Sequence, residues 1–318
     1  MVKAVFFGTP AFAVPTLERL LESGHDVTGV VTQPDRRRGR GQHVSAAAVK
    51  QVAEAHGLQV LQPERLKDPT FVAAFEALEP DIGVVAAYGK LLPDRLLELP
   101  RHGMVNVHAS LLPKYRGAAP IHRAIMAGEL ETGVTIIQLV REMDAGPMLK
   151  LASCPIAADD TSESLTHTLA SLGADLLLTV VDELASGRSA AQPQDHDRAT
   201  FAPRLSRDDG AIDWQRSAAD LHNQVRGLHP WPHAFSCLGG ARYAILQSAV
   251  AQCPEAGRCT QPGEIVEATK DRLIVAAGGE TALAIKELQP EGKRPLPTRA
   301  FLAGHRLKPG ARFGQSLA

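Results

Sequence analysis

The chain has 318 residues, of which 44% are hydrophobic and 22% charged, and its formal net charge is -1. One hydrophobic core rarely organises a chain of this length, so two domains are expected, with the composition of a globular protein. Near-neutral charge excludes a polycation, so any nucleic-acid contact has to come from local basic patches.

The first ten residues, MVKAVFFGTP, carry one lysine and a short apolar run. That fits neither a secretory leader nor a membrane span, and a cytoplasmic protein without a membrane partner is expected. Residues 3–7 predict a buried strand, Gly8, Thr9 and Pro10 a turn, and PTLERLLESG a helix closed by Gly24. A strand over 27–32, a helix over 46–56 closed by Gly57, a short strand LQVLQ and a helix over 69–78 follow. Apolar strands are then predicted over 82–87, 105–108 and 134–140. This alternation indicates a mostly parallel sheet covered on both faces. A helix over 162–185 keeps Leu165, Leu169, Leu172 and Leu176 on one face. Residues 188–200, RSAAQPQDHDRAT, have little apolar content and read as linker. A helix over 217–226 comes next, then HAFSCL, ARYAILQSAV, GEIVEA, RLIVAA and TALAIKELQ, separated by Gly, Pro and charged turns. Short strands at this spacing suggest a small antiparallel barrel. The domains are therefore placed at 1–188 and 207–318, with 189–206 as linker.

The stretch MVNVHASLLPKYRG at 104–117, with Asp144 in REMDAGP, carries the chemistry. Asn106 and His108 are two apart, so in a strand both face one side. Two buried polar residues on one face are either a hydrogen-bonded structural pair or a reactive one. In the reactive reading Asn106 donates to an oxygen gaining negative charge, and His108 takes or relays a proton. Asp144 either orients the imidazole or simply makes a turn. G-x-S-x-G is absent, which disfavours a covalent serine route through Ser110. Gly8 sits in FGTPAF, not in GxGxxG, and GxxxxGK[ST] does not occur. The cysteines at 154, 237, 253 and 259 have no CxxC spacing. They are expected as free thiols in a reducing compartment, and no metal is expected. Direct attack of a nucleophile on a bound carbonyl is the economical reading.

QPDRRRGRGQH at 33–43 is expected as an exposed, flexible loop, either solvated or reading phosphates and bases through its arginines. From Lys286 onward there are seven basic residues, Lys286, Lys293, Arg294, Arg299, Arg306, Lys308 and Arg312, opposed by Glu287 and Glu291. Two basic regions on a near-neutral chain fit a large polyanion. Trp231, between prolines, is expected as a packing anchor at the domain junction, with base stacking as the other reading.

These motifs are similar over nearly the full length to those of the bacterial methionyl-tRNA formyltransferases. The matches are FGTPAFAVPTL at 7–17, the PDRxxGRG loop at 34–41, VAAYGKLLP at 85–93 and NVHASLLPKYRGAAPI at 106–121. TGVTIIQLVREMDAGPML at 132–149, DDGAIDW at 208–214, VRGLHPWPHA at 225–234 and LQPEGKRP at 288–295 follow. The resemblance implies an α/β fold: a Rossmann-like formyltransferase domain with a mostly parallel sheet, plus a C-terminal OB-like β-barrel domain. It implies a monomer that uses 10-formyltetrahydrofolate as donor and the α-amino group of methionine on initiator methionyl-tRNA as acceptor. By residue match, Asn106, His108 and Asp144 would be the catalytic set. Val85, Ala86, Ala87, Tyr88, Ser110, Leu111, Leu112 and Pro113 would line the folate site. Phe12, Arg36, Arg38, Arg40, Lys293, Arg294 and Arg306 would meet the tRNA. The chain departs from the resemblance at Gln42 and His43, where two lysines are usual, and at Ala47 and Ala48, where the motif is SPVK. Transfer to a small amine, such as an amino sugar or a ribonucleotide, is the alternative; it leaves the two basic regions unexplained. A non-catalytic RNA-binding protein would not need the polar trio.

Overall fold

The computed structural model describes residues 1–38, 43–254 and 259–314. The chain divides into two compact units. The first comprises Met1–Pro120, Glu131–Pro155 and Thr166–Pro203; the second comprises Ile121–Leu130, Ile156–Leu165 and Arg204–Ala318.

The strands in the first part of the chain are β1 (Lys3–Gly8), β2 (Asp26–Val31), β3 (Arg36–Arg38), β4 (His43–Ser45), β5 (Val60–Leu61), β6 (Ile82–Ala86), β7 (Met104–His108), β8 (Glu131–Gln138) and β9 (Met148–Pro155). The helices are α1 (Val14–Leu21), α2 (Ala48–Ala55), α3 (Pro69–Glu76), α4 (Asp94–Glu98), α5 (Pro120–Met126) and α6 (Ser162–Ala185). A seven-stranded sheet runs in the order β5-β2-β1-β6-β7-β8-β9. The first five strands pair in parallel, and β8 and β9 extend the sheet antiparallel. β6 is buried along its whole length, which explains its uninterrupted apolar sequence. α3 starts where the side chain of Asp68 accepts the Thr70 N–H at 2.9 Å and Pro69 supplies a fixed φ.

α6 is long and apolar enough to cross a bilayer by composition. Here Leu169, Ala170, Ala174, Leu177, Val180 and Val181 are buried within the fold. Gly173 lets the helix lie close on the sheet: a Cβ there would sit 2.7 Å from Val107 Cγ1. Val107 therefore faces α6, and Asn106 and His108 face the other side of the sheet.

The arginine segment differs from expectation. Arg36–Arg38 pairs antiparallel with His43–Ser45, so both flanks are strand rather than flexible loop. The foot of this hairpin is tied down. Lys50 Nζ donates to Asp35 Oδ2 at 2.6 Å and to Gln62 Oε1 at 2.9 Å, and Gln62 Nε2 donates to Asp35 Oδ1 at 2.9 Å. Arg40 and Gln42, singled out above, lie outside the described residues.

The second unit adds α7 (Ala218–Gly227), β10 (Ala234–Leu238), β11 (Ala241–Ala251), β12 (Ile265–Thr269), β13 (Arg272–Ala277), β14 (Thr281–Pro290), β15 (Leu296–Pro297) and α8 (Thr298–Gly304). Its sheet is antiparallel, in the order β10-β11-β14-β13-β12, with β15 on β14. Near the end of the chain, Phe313 bridges to Leu238 at the end of β10, and Arg312 bridges to Glu264 just before β12. The core holds Leu221, Val225, Ile245, Leu273, Leu283 and Phe301.

Two expectations need correction. Trp231 is 51% exposed and does not anchor packing. The buried tryptophan is Trp214, whose Nε1 donates to Ser236 Oγ at 3.0 Å beside Phe313. Cys253 and Cys259 are joined in a disulfide rather than free. Their Cα atoms are 6.0 Å apart, a separation that CxxC spacing alone does not reveal. Cys154 and Cys237 take no part in a disulfide.

Candidate active site

The sheet brings the first elements of the site together by register. Phe7 of β1 lies beside Val85 of β6, Val85 beside Asn106 of β7, and Asn106 beside Ile137 of β8. Two residues along β7, His108 pairs with Thr135. Asn106 is half-buried, and none of the described residues hydrogen-bonds its side-chain amide. A strand-borne amide with both faces of the sheet packed around it is held in place yet has its donors to spare.

His108 is 5% exposed. Its Nε2 lies 3.0 Å from the carbonyl oxygen of Tyr115. A carbonyl only accepts, so Nε2 carries the hydrogen in this contact. That leaves Nδ1 facing Asp144 Oδ2 at 3.7 Å, an electrostatic contact too long for a hydrogen bond. Asp144 is thus brought to the imidazole, across the distance in sequence that spacing could not bridge. It is not a plain turn residue: its φ is 51°, a left-handed value uncommon for an aspartate, and its Oδ2 accepts the Gly117 N–H at 2.8 Å.

The loop after β7 is built from hydrogen bonds to its own carbonyls. Thr135 Oγ1 donates to Ser110 O at 2.7 Å and accepts the Leu112 N–H at 3.1 Å. Ser110 Oγ donates to Lys114 O at 2.7 Å, and the serine is fully buried. The hydroxyl is therefore committed to the turn. Leu111 leans on Gly133, where a Cβ would lie 2.6 Å from Leu111 Cδ2. The Leu112–Pro113 bond is cis. The stretch from Pro113 to Ala119 then pairs with residues 200–202: Arg116 N–H donates to Thr200 O at 2.9 Å, and Ala202 N–H to Arg116 O at 2.7 Å.

At the end of β6, Val85 and Ala86 are buried, while Ala87 is exposed with φ 47°. The Tyr88 ring packs edge-on against Phe7 at 5.4 Å, and its hydroxyl is buried without a hydrogen-bond partner. Burial pushes the phenol up to about 12. The Tyr88 carbonyl accepts from Gln33 Nε2 at 2.9 Å. Phe12, in a single 3-10 turn after β1, is half-buried. Among the described residues, no group of three His, Cys, Asp or Glu side chains is arranged to hold a metal ion.

The surroundings of Asp144 include residues that pattern reading passed over. Gln194 Nε2 donates to Asp144 O at 2.8 Å and to Gly146 O at 2.7 Å. Gln194 Oε1 accepts from Arg116 Nε at 3.1 Å and Nη2 at 2.7 Å. Arg116, Gln194 and Thr135 are all buried polar groups, the kind that needs partners, but only the fold shows which.

Residues 2–181 match the formyl transferase family, and residues 204–306 match the formyl transferase C-terminal domain. A methionyl-tRNA formyltransferase of Geobacter metallireducens is 46% identical over 310 residues, covering 98% of this chain and 98% of the relative. One of Methylococcus capsulatus is 46% identical over 313 residues, covering 98% and 100%. The chain belongs to the methionyl-tRNA formyltransferase family. It is an enzyme with the two-domain formyltransferase architecture: a mostly parallel N-terminal sheet and an antiparallel C-terminal one. Distant members of the fold are also similar. The N-formyltransferase from Helicobacter canadensis in complex with folinic acid and dTDP-3-aminofucose has a TM-score of 0.67 at 18% identity, covering 91% of this chain and 100% of that one. HypX from Aquifex aeolicus in complex with tetrahydrofolic acid has a TM-score of 0.63 at 17% identity, covering 95% of this chain and 47% of that one. In this chain Asn106 and His108 lie on β7, and Asp144 comes from the loop between β8 and β9.

Proposed function

We propose that this chain transfers the formyl group of 10-formyltetrahydrofolate to the α-amino group of methionine on initiator methionyl-tRNA. The observation that carries the chemistry is the meeting of His108 with Asp144 beside an uncommitted Asn106 amide. The donor supplies a formyl carbon open to direct attack. Asn106 donates to the formyl oxygen as it gains negative charge in the tetrahedral state. With Nε2 engaged by Tyr115 O, His108 uses Nδ1 to take and return the proton that the amine loses and the departing folate nitrogen gains. Asp144, facing Nδ1, steadies the ring during that exchange.

The folded pterin side of the donor would lie along Val85, Ala86, Ala87 and Tyr88 and the loop Ser110, Leu111, Leu112 and Pro113. Support for this comes from the register that sets Val85 beside Asn106, and from the names of distant fold relatives that were solved with folates. The N-terminal unit would act as a Rossmann-like catalytic domain over 1–188. Residues 207–318 would act as an OB-like barrel that holds tRNA, with 189–206 between them. The protein would act as a cytoplasmic monomer.

For the tRNA, the second unit offers a groove of about 900 Å³ lined by Lys270, Asp271, Arg299, His305, Arg306 and Lys308. Lys293 and Arg294 are exposed on the turn after β14. Phe12, Arg36, Arg38 and Arg40 would meet the acceptor end; the names of the 42–46% identical relatives favour that partner over a small amine. The test is transfer from labelled donor to charged initiator tRNA, charged elongator methionine tRNA and a nucleotide-linked amino sugar. The initiator should be formylated in clear preference to both. Equal use of the two tRNAs, or preference for the sugar, contradicts the proposal.

A further inference from the structure

We infer that Gln194 is a positioning residue for formyl transfer, acting by fixing Asp144 and the Tyr115–Gly117 loop on opposite sides of His108. The inference rests on the proposed function for the role of that trio. Gln194 lies in the stretch that composition alone marks as linker, yet it is 5% exposed. A primary amide has two donors and an oxygen with two lone pairs. All four are used: two bonds go out to Asp144 O and Gly146 O, and two come in from Arg116 Nε and Nη2.

These bonds close a circuit. His108 Nε2 donates to Tyr115 O. Tyr115 is followed by Arg116, whose guanidinium holds Gln194. Arg116 is followed by Gly117, whose N–H holds the Asp144 carboxylate. Gln194 then grips the backbone of Asp144 itself. Asp144 keeps its left-handed φ of 51° while tied at the side chain by one loop and at the carbonyl by another. Arg116 is 6% exposed, and its guanidinium bonds go to Gln194 and to His196 Nδ1 at 3.1 Å, with no carboxylate among the described residues. The guanidinium is thus tied by a side-chain amide and an imidazole nitrogen, which fixes the backbone that carries Tyr115 and Gly117.

The experiment compares Gln194→Leu and Gln194→Glu with the parent and with Asp144→Asn, by steady-state kinetics and by 15N NMR of the His108 ring. Gln194→Glu keeps an acceptor for Arg116 but turns lone pairs onto the two carbonyls. In both variants kcat should fall about 10- to 100-fold, as for a reactive group displaced by about an ångström, with KM values for donor and acceptor little changed. The His108 Nδ1 and Nε2 shifts should move, and Asp144→Asn should cost less in the Gln194→Leu background than alone. A folded Gln194→Leu or Gln194→Glu with parental kcat and parental His108 shifts overturns the inference, as does full additivity with Asp144→Asn. Loss of folding in the leucine variant leaves the glutamate variant to decide. If the parent formylates some other amine, the function proposal fails, and the His108 shifts still judge the role of Gln194.

Discussion

Tyr88 illustrates how a residue of the proposed folate wall can commit its ring to the core. Its ring fills the cluster formed by Phe7, Phe75 and Val85, and its hydroxyl is buried without a partner. Replacing an unpaired buried hydroxyl by hydrogen is neutral or stabilising. Tyr88→Phe should therefore match or exceed the parent in urea midpoint at pH 7, with an unchanged donor KM. The pH dependence has a definite sign. The folded phenol is raised to about 12 against about 10 in the unfolded chain. Its contribution is fully present below about pH 10 and is lost as pH rises through 12, to a limit of about 3 kcal/mol at 1.36 kcal/mol per unit. Tyr88→Phe should flatten that alkaline loss. A destabilised variant, or one with a raised donor KM, would give the hydroxyl a role in binding. That Asn106 and His108 share one face was legible in sequence because β7 announces itself by apolar neighbours, whereas the approach of Asp144 to His108 was not. Gln194 was not, because its partners are 48 to 78 residues away and its own neighbourhood is polar.

At the scale of elements, the turn at Gly117 joins structure to chemistry. Its φ is 121°, a Cβ there would meet Ala202 O at 2.7 Å, and its N–H holds Asp144. Gly117→Ala should cost about 1–3 kcal/mol through backbone strain and should also lower kcat. Gly57, with φ 67° and open space around it, is the control: Gly57→Ala should lose some stability and no activity. Thermal melts and initial rates on both variants check this, and full activity in Gly117→Ala would detach the turn from Asp144. Pattern reading found the elements with long apolar runs, such as β1, β2, β6, β7 and α6, and with them the short β5, the helices α1, α2, α3 and α7, and the strands β8 and β10 to β14. Those it missed are short or half-exposed. β9 alternates between half-buried and exposed residues at the sheet edge, and α4, α5 and α8 have five to seven residues each. Such elements owe their stability to tertiary packing rather than to local propensity.

At the scale of the whole molecule, three carboxylates held below their usual range contribute stability that acid removes. Hydrogen bonds from Lys50 and then Gln62 lower Asp35, and the Lys3 ammonium lowers Glu79. Burial works against Asp209, but the Ser206 N–H and Arg123, 2.8 Å away, outweigh it and lower this group too. In the unfolded chain these groups bind protons near pH 4. The stability they confer is thus present above about pH 4 and lost as pH falls through their lower folded values. Asp209→Asn should be less stable than the parent at pH 7 and should show a smaller further loss on going to pH 3, as read by urea unfolding. An unchanged difference between the two pH values would remove Asp209 from this account. The two-domain plan was also legible at this scale from the change between strand–helix alternation and short strands. The disulfide and the exposed Trp231 were not: the six-residue separation of Cys253 and Cys259 does not announce a bridge, and residue type alone does not give the exposure of Trp231.

The most direct measurement is the single-turnover rate of formyl transfer by Asn106→Ala with saturating donor and initiator methionyl-tRNA. Loss of one oxyanion donor should slow the step by about 10²–10³, or about 2.7–4 kcal/mol, while donor affinity stays at the parental level. A rate close to that of the parent would contradict the assignment of the Asn106 amide to the formyl oxygen.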